Sequence, residues 1–410
     1  MAFLVAISAL SVGLKIEIVL AIIFVIFLIG YLLKNRKHVV LQKIAFPLLY
    51  IFMLRRGWGL KAMDKVAKKQ RELVKLFGYI GIGIGFVSMA FMVYLFGQIG
   101  IWLFTEPAKA MLAPVVPFVT LPGVGFLGFT HWILAISFLV IVHEFAHGMV
   151  ARAHGVKVKS SGLAVLGLIA PIFPAAFVEP DTKEMAKKGD IVQYSVFAAG
   201  SFMNLLWFLV FWAILLLAVN PAMSAMTEPV GFSFNLVNGT SPAALSGVGN
   251  LTLVNMYNGE FSTDAAIVIN EVFYGVSPGE PVEFGYYNKT TNKTTSYTIT
   301  TGNHPDEEKR AFLGIINIQN KRDFKEKFKP YSPYFLWVQG LIKWLVLFNL
   351  LVGIFNMLPL VITDGGQMFM LALTRILGDR KKAAKVTNAI GLVIGAIMLA
   401  GIGVWISSFF

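Results

Sequence analysis

Six long apolar runs, broken by short polar stretches and one long polar interval, set the plan of the chain. They are Ile16–Leu33, Leu76–Gly97, His131–Val150, Ile191–Val219, Tyr334–Leu358 and Val386–Ile406. Each comes near the roughly 20 residues that a helix needs to cross a bilayer. The pattern predicts an α-helical polytopic membrane protein of about six spans. Gly78, Gly81, Gly83 and Gly85 give the second run a small-residue face for close helix packing. Ile44–Leu54 is apolar but too short to span. With Pro47 inside it and Arg55-Arg56 after it, it reads as an interfacial or re-entrant piece, or as a short surface helix. Glu106–Thr130 carries four prolines and little charge and reads as an outer loop that dips back into the protein. Val156–Phe177 alternates Val and Leu among Gly, Ser and Pro, which predicts a β-hairpin. Extended backbone at membrane depth is tolerated only against protein or a wet cavity.

The long polar interval, Asn220–Lys329, is a soluble insert of the size of one small domain. Asn238-Gly239, Asn258-Gly259 and Ser277-Pro278-Gly279-Glu280 mark turns, and alternation in Glu283–Tyr287 and Ser296–Thr301 predicts strands. Sequons at Asn238, Asn250, Asn288 and Asn292 are compatible with a non-cytoplasmic side.

Composition sharpens this picture. Hydrophobic residues make up 57% of the 410 residues, and the mean hydropathy is +0.71, which excludes an ordinary soluble protein. The chain has no cysteine, so disulfides, thiolate metal sites and cysteine nucleophiles are excluded. The net charge of +13 comes from Lys and Arg concentrated beside the spans. The positive-inside rule accounts for them without nucleic acid as a partner. Lys34, Arg36 and Lys37 put the end of the first span in the cytoplasm, and counting onward puts the insert outside it. Met1–Leu14 lacks a basic start and a cleavage site and reads as retained.

Candidate chemistry lies in the third run. His143-Glu144-Phe145-Ala146-His147 is an H-E-x-x-H motif. In a helix, residues four apart are offset by about 40° and roughly 6 Å along the axis. His143 and His147 therefore face one way and can grip one metal ion, with Glu144 one step round as a general base. Ionisable groups at membrane depth point to a functional site. A catalytic zinc site takes three protein ligands. Asp364 is the candidate third, because Pro359 and Gly365-Gly366 would interrupt the helix and let its carboxylate approach. Gly200 and Asn204 in the fourth run read first as helix-packing residues, with Asn204 bonded across helices.

Together these motifs resemble the site-2 protease family of intramembrane zinc metalloproteases. The resemblance rests on His143–His147, on Asn356, Pro359, Asp364 and Gly365 in an N-x-x-P-x-x-x-x-D-G pattern, and on Gly200 and Asn204 in G-x-x-x-N. Thr363 stands where the family often has Leu. The insert resembles a PDZ domain over Pro229–Ile316, through Ser241-Pro242-Ala243-Ala244 and Pro278-Gly279-Glu280. Gly249-Asn250-Leu251-Thr252 departs from the usual Gly-Asp-x-Ile turn. On this basis the chain divides into an N-terminal membrane region (1–105), a first part of the catalytic core (106–220), a PDZ-like extracytoplasmic domain (221–330) and a second part of the core with the last span (331–410).

The resemblance implies a Zn2+-dependent endopeptidase that cuts transmembrane segments of membrane proteins, often after a first cut by another protease. It implies His143, His147 and Asp364 as metal ligands and Glu144 as the catalytic residue. Asn204 and Asn356 are candidates for contact with substrate backbone or the oxyanion. The expected location is a multi-pass protein of the cell membrane, with the site nearer the cytoplasmic face. Two rivals remain on the sequence. A multi-span zinc protease of lipidated tails would want an E-x-x-x-D pattern on a later helix, and after the motif that pattern occurs only at Glu260–Asp264, in the insert. A non-enzymatic scaffold or transporter would want internal symmetry, and no repeat is evident.

Overall fold

The computed structural model describes residues 11–45, 49–121, 123–168, 170–250, 253–288, 292–304 and 310–408. Residues 1–10, Pro47, and Leu251 and Thr252 of the altered turn lie outside them. Contacts divide the chain into two compact units, residues 1–216 with 337–410, and residues 217–336.

The first unit is built on helices α1 (Val12–Lys34), α2 (Leu60–Lys69), α3 (Arg71–Thr105) and α4 (Phe129–Ala153). Six helices among the described residues are long and apolar enough to cross a membrane. The chain is thus a polytopic helical membrane protein with a β-rich insert. Glycine sets the helix packing: Gly78 lies against Ser195, Gly81 against Phe202, and Gly85 against Met357 and Met368. Gly83 meets nothing within 4 Å.

α1 has no buried residue, yet it contributes one polar contact of consequence. The N–H and hydroxyl of Thr130 both donate to the Glu17 carboxylate, at 2.8 and 2.7 Å. The N-cap of α4 is Gly128, which brings no side chain of its own. Glu17 therefore caps α4 from another helix, where a carboxylate also suits the helix dipole.

After α4 the chain forms β3 (Val158–Leu168) and β4 (Ala170–Pro180), the hairpin that the Val/Leu alternation predicts. The stretch Ile44–Leu54 corrects the expectation. The surface-helix alternative gives way to strands: β1 (Val39–Ala45) and β2 (Leu49–Arg55) extend the hairpin into a four-stranded antiparallel sheet of order β1-β2-β3-β4. Val39, Val40, Tyr50, Ile51 and Phe52 favour extended backbone, and β3 offers them an edge. Leu49 pairs with Leu168 and Arg55 with Gly162. A Cβ on Gly162 would fall 1.9 Å from the Leu54 carbonyl oxygen, so only glycine fits this crossing.

Beyond the hairpin come α5 (Thr182–Ala186), capped by Asp181, and α6 (Asp190–Ile214). The insert has strands β5 (Thr227–Leu236), β6 (Pro281–Asn288), β7 (Lys293–Thr300) and β8 (Ile315–Phe324), with helix α7 (Ala265–Gly275). β5 pairs with β8 and β6 with β7, both antiparallel. Phe232, Phe234, Val268, Phe284, Ile299 and Leu313 are at most 1% exposed and form its core. Asn250 has a structural part, since its Oδ1 accepts from the Leu236 N–H at 2.7 Å. The membrane unit resumes with α8 (Ser332–Phe355), α9 (Asp364–Leu377) and α10 (Arg380–Ser407).

Candidate metal centre

Three helices deliver the polar groups. α4 brings His143, Glu144 and His147, α6 brings Asn204, and α9 begins at Asp364. His143 and His147 are buried, at 7% and 8% exposure. Their Nε2 atoms lie 3.1 Å apart, and each is 3.2 Å from Asp364 Oδ2.

The helix break before α9 makes this approach feasible. Asn356 to Thr363 double back, and the Gly365 N–H donates to the Asn356 carbonyl at 2.8 Å. A Cβ on Gly365 would lie 2.2 Å from the Met357 oxygen, and one on Gly366 would lie 1.7 Å from the Leu360 oxygen. Thr363 is the N-cap, its hydroxyl accepting from the Gly366 N–H at 3.1 Å. Sequence reasoning noted Thr363 only as a departure from Leu. The signal for its role was a Thr directly before a helix start.

Hydrogen bonds orient both imidazoles. His147 Nδ1 lies 2.6 Å from the Val196 carbonyl. A carbonyl only accepts, so Nδ1 carries the proton and Nε2 is left with its lone pair. His143 Nδ1 lies 3.2 Å from the Asn204 amide. Asn204 is fully buried, and its Oδ1 has no hydrogen-bond partner. Exchanging the amide's O and N lets Oδ1 accept the Nδ1–H of His143. Asn204 thus stands behind His143 and not on the cavity wall. Asn356 stands among the three groups, its Nδ2 donating to Asp364 Oδ2 at 2.7 Å and lying 3.1 Å from His143 Nε2.

Besides the Asn356 amide, two lone-pair nitrogens and a carboxylate oxygen face one another, a set that a cation among them would hold together. Tetrahedral zinc with bonds of about 2.0–2.1 Å would space its ligand atoms about 3.3 Å apart, close to the observed triangle. Gly200 packs directly on the pair: a Cβ there would fall 2.4 Å from His147 Nε2 and 2.6 Å from His143 Nε2. The donor set, its spacing and this bare backbone fit a metal ion.

Glu144 lies beside the triangle, and its Oε2 accepts from the Val178 N–H of β4 at 2.8 Å. Glu144, His147 and Asp364 line a cavity of about 820 Å³, together with Phe177 and Val178 of β4 and Met370 of α9. The carboxylates of Glu144 and Asp364 and the His147 imidazole therefore face the same space, and β4 forms one wall of it.

A spanning bundle with this donor set belongs to the class of membrane metallopeptidases. The sequence model of peptidase family M50 matches residues 131–401, more than half of the chain. The chain belongs to peptidase family M50, the site-2 protease family that its motifs resemble. It is also 26% identical over 363 residues to an uncharacterized protein of Methanocaldococcus jannaschii, a match that covers 85% of each chain.

Proposed function

We propose that this membrane metallopeptidase is a zinc-dependent endopeptidase that hydrolyses peptide bonds within transmembrane segments of other membrane proteins. The observation that carries the reading is the convergence of His143 Nε2, His147 Nε2 and Asp364 Oδ2, with His147, Asp364 and Glu144 lining one cavity. Zinc held by His143, His147 and Asp364 supplies Lewis-acid polarisation of a scissile carbonyl and lowers the pKa of water towards about 7. Glu144 takes the proton of the attacking water and passes it to the leaving amine. The Val178 N–H holds the Glu144 carboxylate in place for both transfers. Asn356 offers an amide donor to the carbonyl oxygen of the substrate, and Asn204 serves through His143, by fixing its ring.

A substrate helix hides its carbonyls in hydrogen bonds and must unwind before attack. β4 is the outer strand of its sheet, which supports a role as the template on which an unwound segment adds as a further strand. The PDZ-like insert, residues 221–330, is read as an extracytoplasmic filter that acts on substrates already trimmed by another protease. The Lys and Arg beside the spans favour an active site nearer the cytoplasmic side of the cell membrane.

The test uses purified full-length protein in proteoliposomes with a single-span substrate. Wild type cuts inside the span. Glu144→Gln retains zinc and loses about 100-fold or more of the activity. Undiminished cleavage by that variant would refute the assignment.

A further inference from the structure

A second cavity, of about 380 Å³, opens where α2, the start of α3 and the end of α4 meet. Lys68, Arg71, Arg152 and Lys157 line it against one acid, Asp64. Two of the cations are fixed in place. Arg152 Nε lies 3.2 Å from Asp64 Oδ1, and Arg71 Nε donates to the Ala153 carbonyl at 3.0 Å. Each guanidinium keeps further N–H donors free of those bonds. Lys68 and Lys157 have no side-chain partner among the described residues. Beside the cavity, burial, then Lys75, Arg71 and Lys188, hold His154 below the usual histidine range against the opposing Glu72.

The place in the fold indicates the ligand. α3 and α4 are membrane spans, and their ends converge here. α2 is amphipathic, with Met63 and Ala67 buried and Lys61, Lys65, Lys68 and Lys69 along its length. Spans ending here would bring the cavity to the level of the lipid phosphates. The positive-inside rule accounts for basic residues near span ends. It does not account for four of them converging on one concavity with two guanidiniums anchored.

We infer that this cavity binds the phosphate of an anionic phospholipid and that the lipid braces the catalytic helix. The brace follows from contact. Met63 of α2 packs on Gly148, the residue after His147, so closely that a Cβ there would fall 2.4 Å from the Met63 sulfur. A phosphate bound to Lys68 of α2, Arg152 of α4 and Lys157 before β3 ties α2 and the chain before β3 to the end of α4, five residues after His147. This inference is independent of the proposed peptidase chemistry.

Full-length protein, stripped of lipid in neutral detergent, would be offered phosphatidylcholine vesicles with and without phosphatidylglycerol. Retained lipid is read by mass spectrometry and stability by the unfolding midpoint. Wild type is expected to enrich phosphatidylglycerol and to unfold at higher temperature with it. Lys68→Gln with Lys157→Gln should weaken that enrichment about 30-fold, about fivefold for each lysine near the surface. Lys68→Arg with Lys157→Arg should preserve it. Stabilisation by inorganic phosphate alone, with no gain from phosphatidylglycerol, would overturn the lipid assignment in favour of a free phosphate. Equal retention of both lipids by wild type also overturns the proposal, and that arm needs no variant to fold. Unchanged phosphatidylglycerol enrichment in the glutamine pair overturns it as well.

Discussion

Both units have apolar clusters, but only the membrane unit also gathers imidazoles, an amide and a carboxylate at one point. The insert is closed by rings and branched chains, with Phe232, Phe234 and Phe284 fully buried. In the membrane unit, the space between α4, α6 and α9 holds His143, His147, Asn204 and Asp364. In water, apolar burial drives folding at roughly 25 cal/mol per Å². In a bilayer, lipid tails are as apolar as leucine, and burial of apolar surface discriminates little between folded and separated helices. Small residues and polar closure take over there. The comparison teaches that damage should separate cleanly. Losses at the membrane centre should strike metal binding and catalysis, and losses at the insert's centre should strike stability.

The largest effect should come from one methyl group. Gly200→Ala puts a Cβ where the two Nε2 atoms stand, so zinc content and cleavage should both be lost while the helix is retained. Elemental analysis with circular dichroism checks this, and full zinc occupancy would break the comparison at its strongest point. Next, Phe284→Ala should cost the insert about 3–5 kcal/mol. Its denaturant unfolding should shift with zinc content unchanged. Loss of zinc instead would make the insert part of the membrane core. Smaller is Asn204→Ala, which should weaken zinc about 10–100-fold by releasing His143. Asn204→Asp keeps an acceptor and should restore most of it, and chelator competition measures both. If Ala and Asp weaken zinc equally, Asn204 only fills space. Smallest is deletion of Gly231–Ile316 with a flexible linker. It should leave zinc bound and alter only the relative cleavage of substrates with and without a large outer domain. Unchanged relative rates would remove the filter role.

Much of this was legible in the sequence because it rests on local pattern. Apolar length gave the spans, and the four-residue spacing of His143 and His147 gave a pair on one helix face. Pro359 with Gly365-Gly366 pointed to the break that admits Asp364. The strands at Val39–Ala45 and Leu49–Arg55 escaped, because a short apolar stretch with a proline and two arginines has the same composition as an interfacial helix. Only its pairing with β3 decides between them. The cross-helix bond of Asn204 was legible, but not its partner His143, since nothing in a G-x-x-x-N spacing says which ring the amide will meet. The Glu144 bond to the Val178 N–H joins a helix to a hairpin more than thirty residues on, and no periodicity announces it.

Glu17 carries a consequence for how the protein is made. It emerges from the ribosome 113 residues before Thr130, its partner. Until α4 is synthesised, α1 must enter the bilayer with an uncompensated carboxylate, at a cost on the order of 2.5–3.5 kcal/mol at a span centre and less towards its ends. That cost is relieved only when the catalytic helix arrives and offers its first free amides. α1 therefore reaches its resting state only after α4 is made. A chain cut back to the family-matched residues 131–401 would begin its catalytic helix without the cap that was waiting for it.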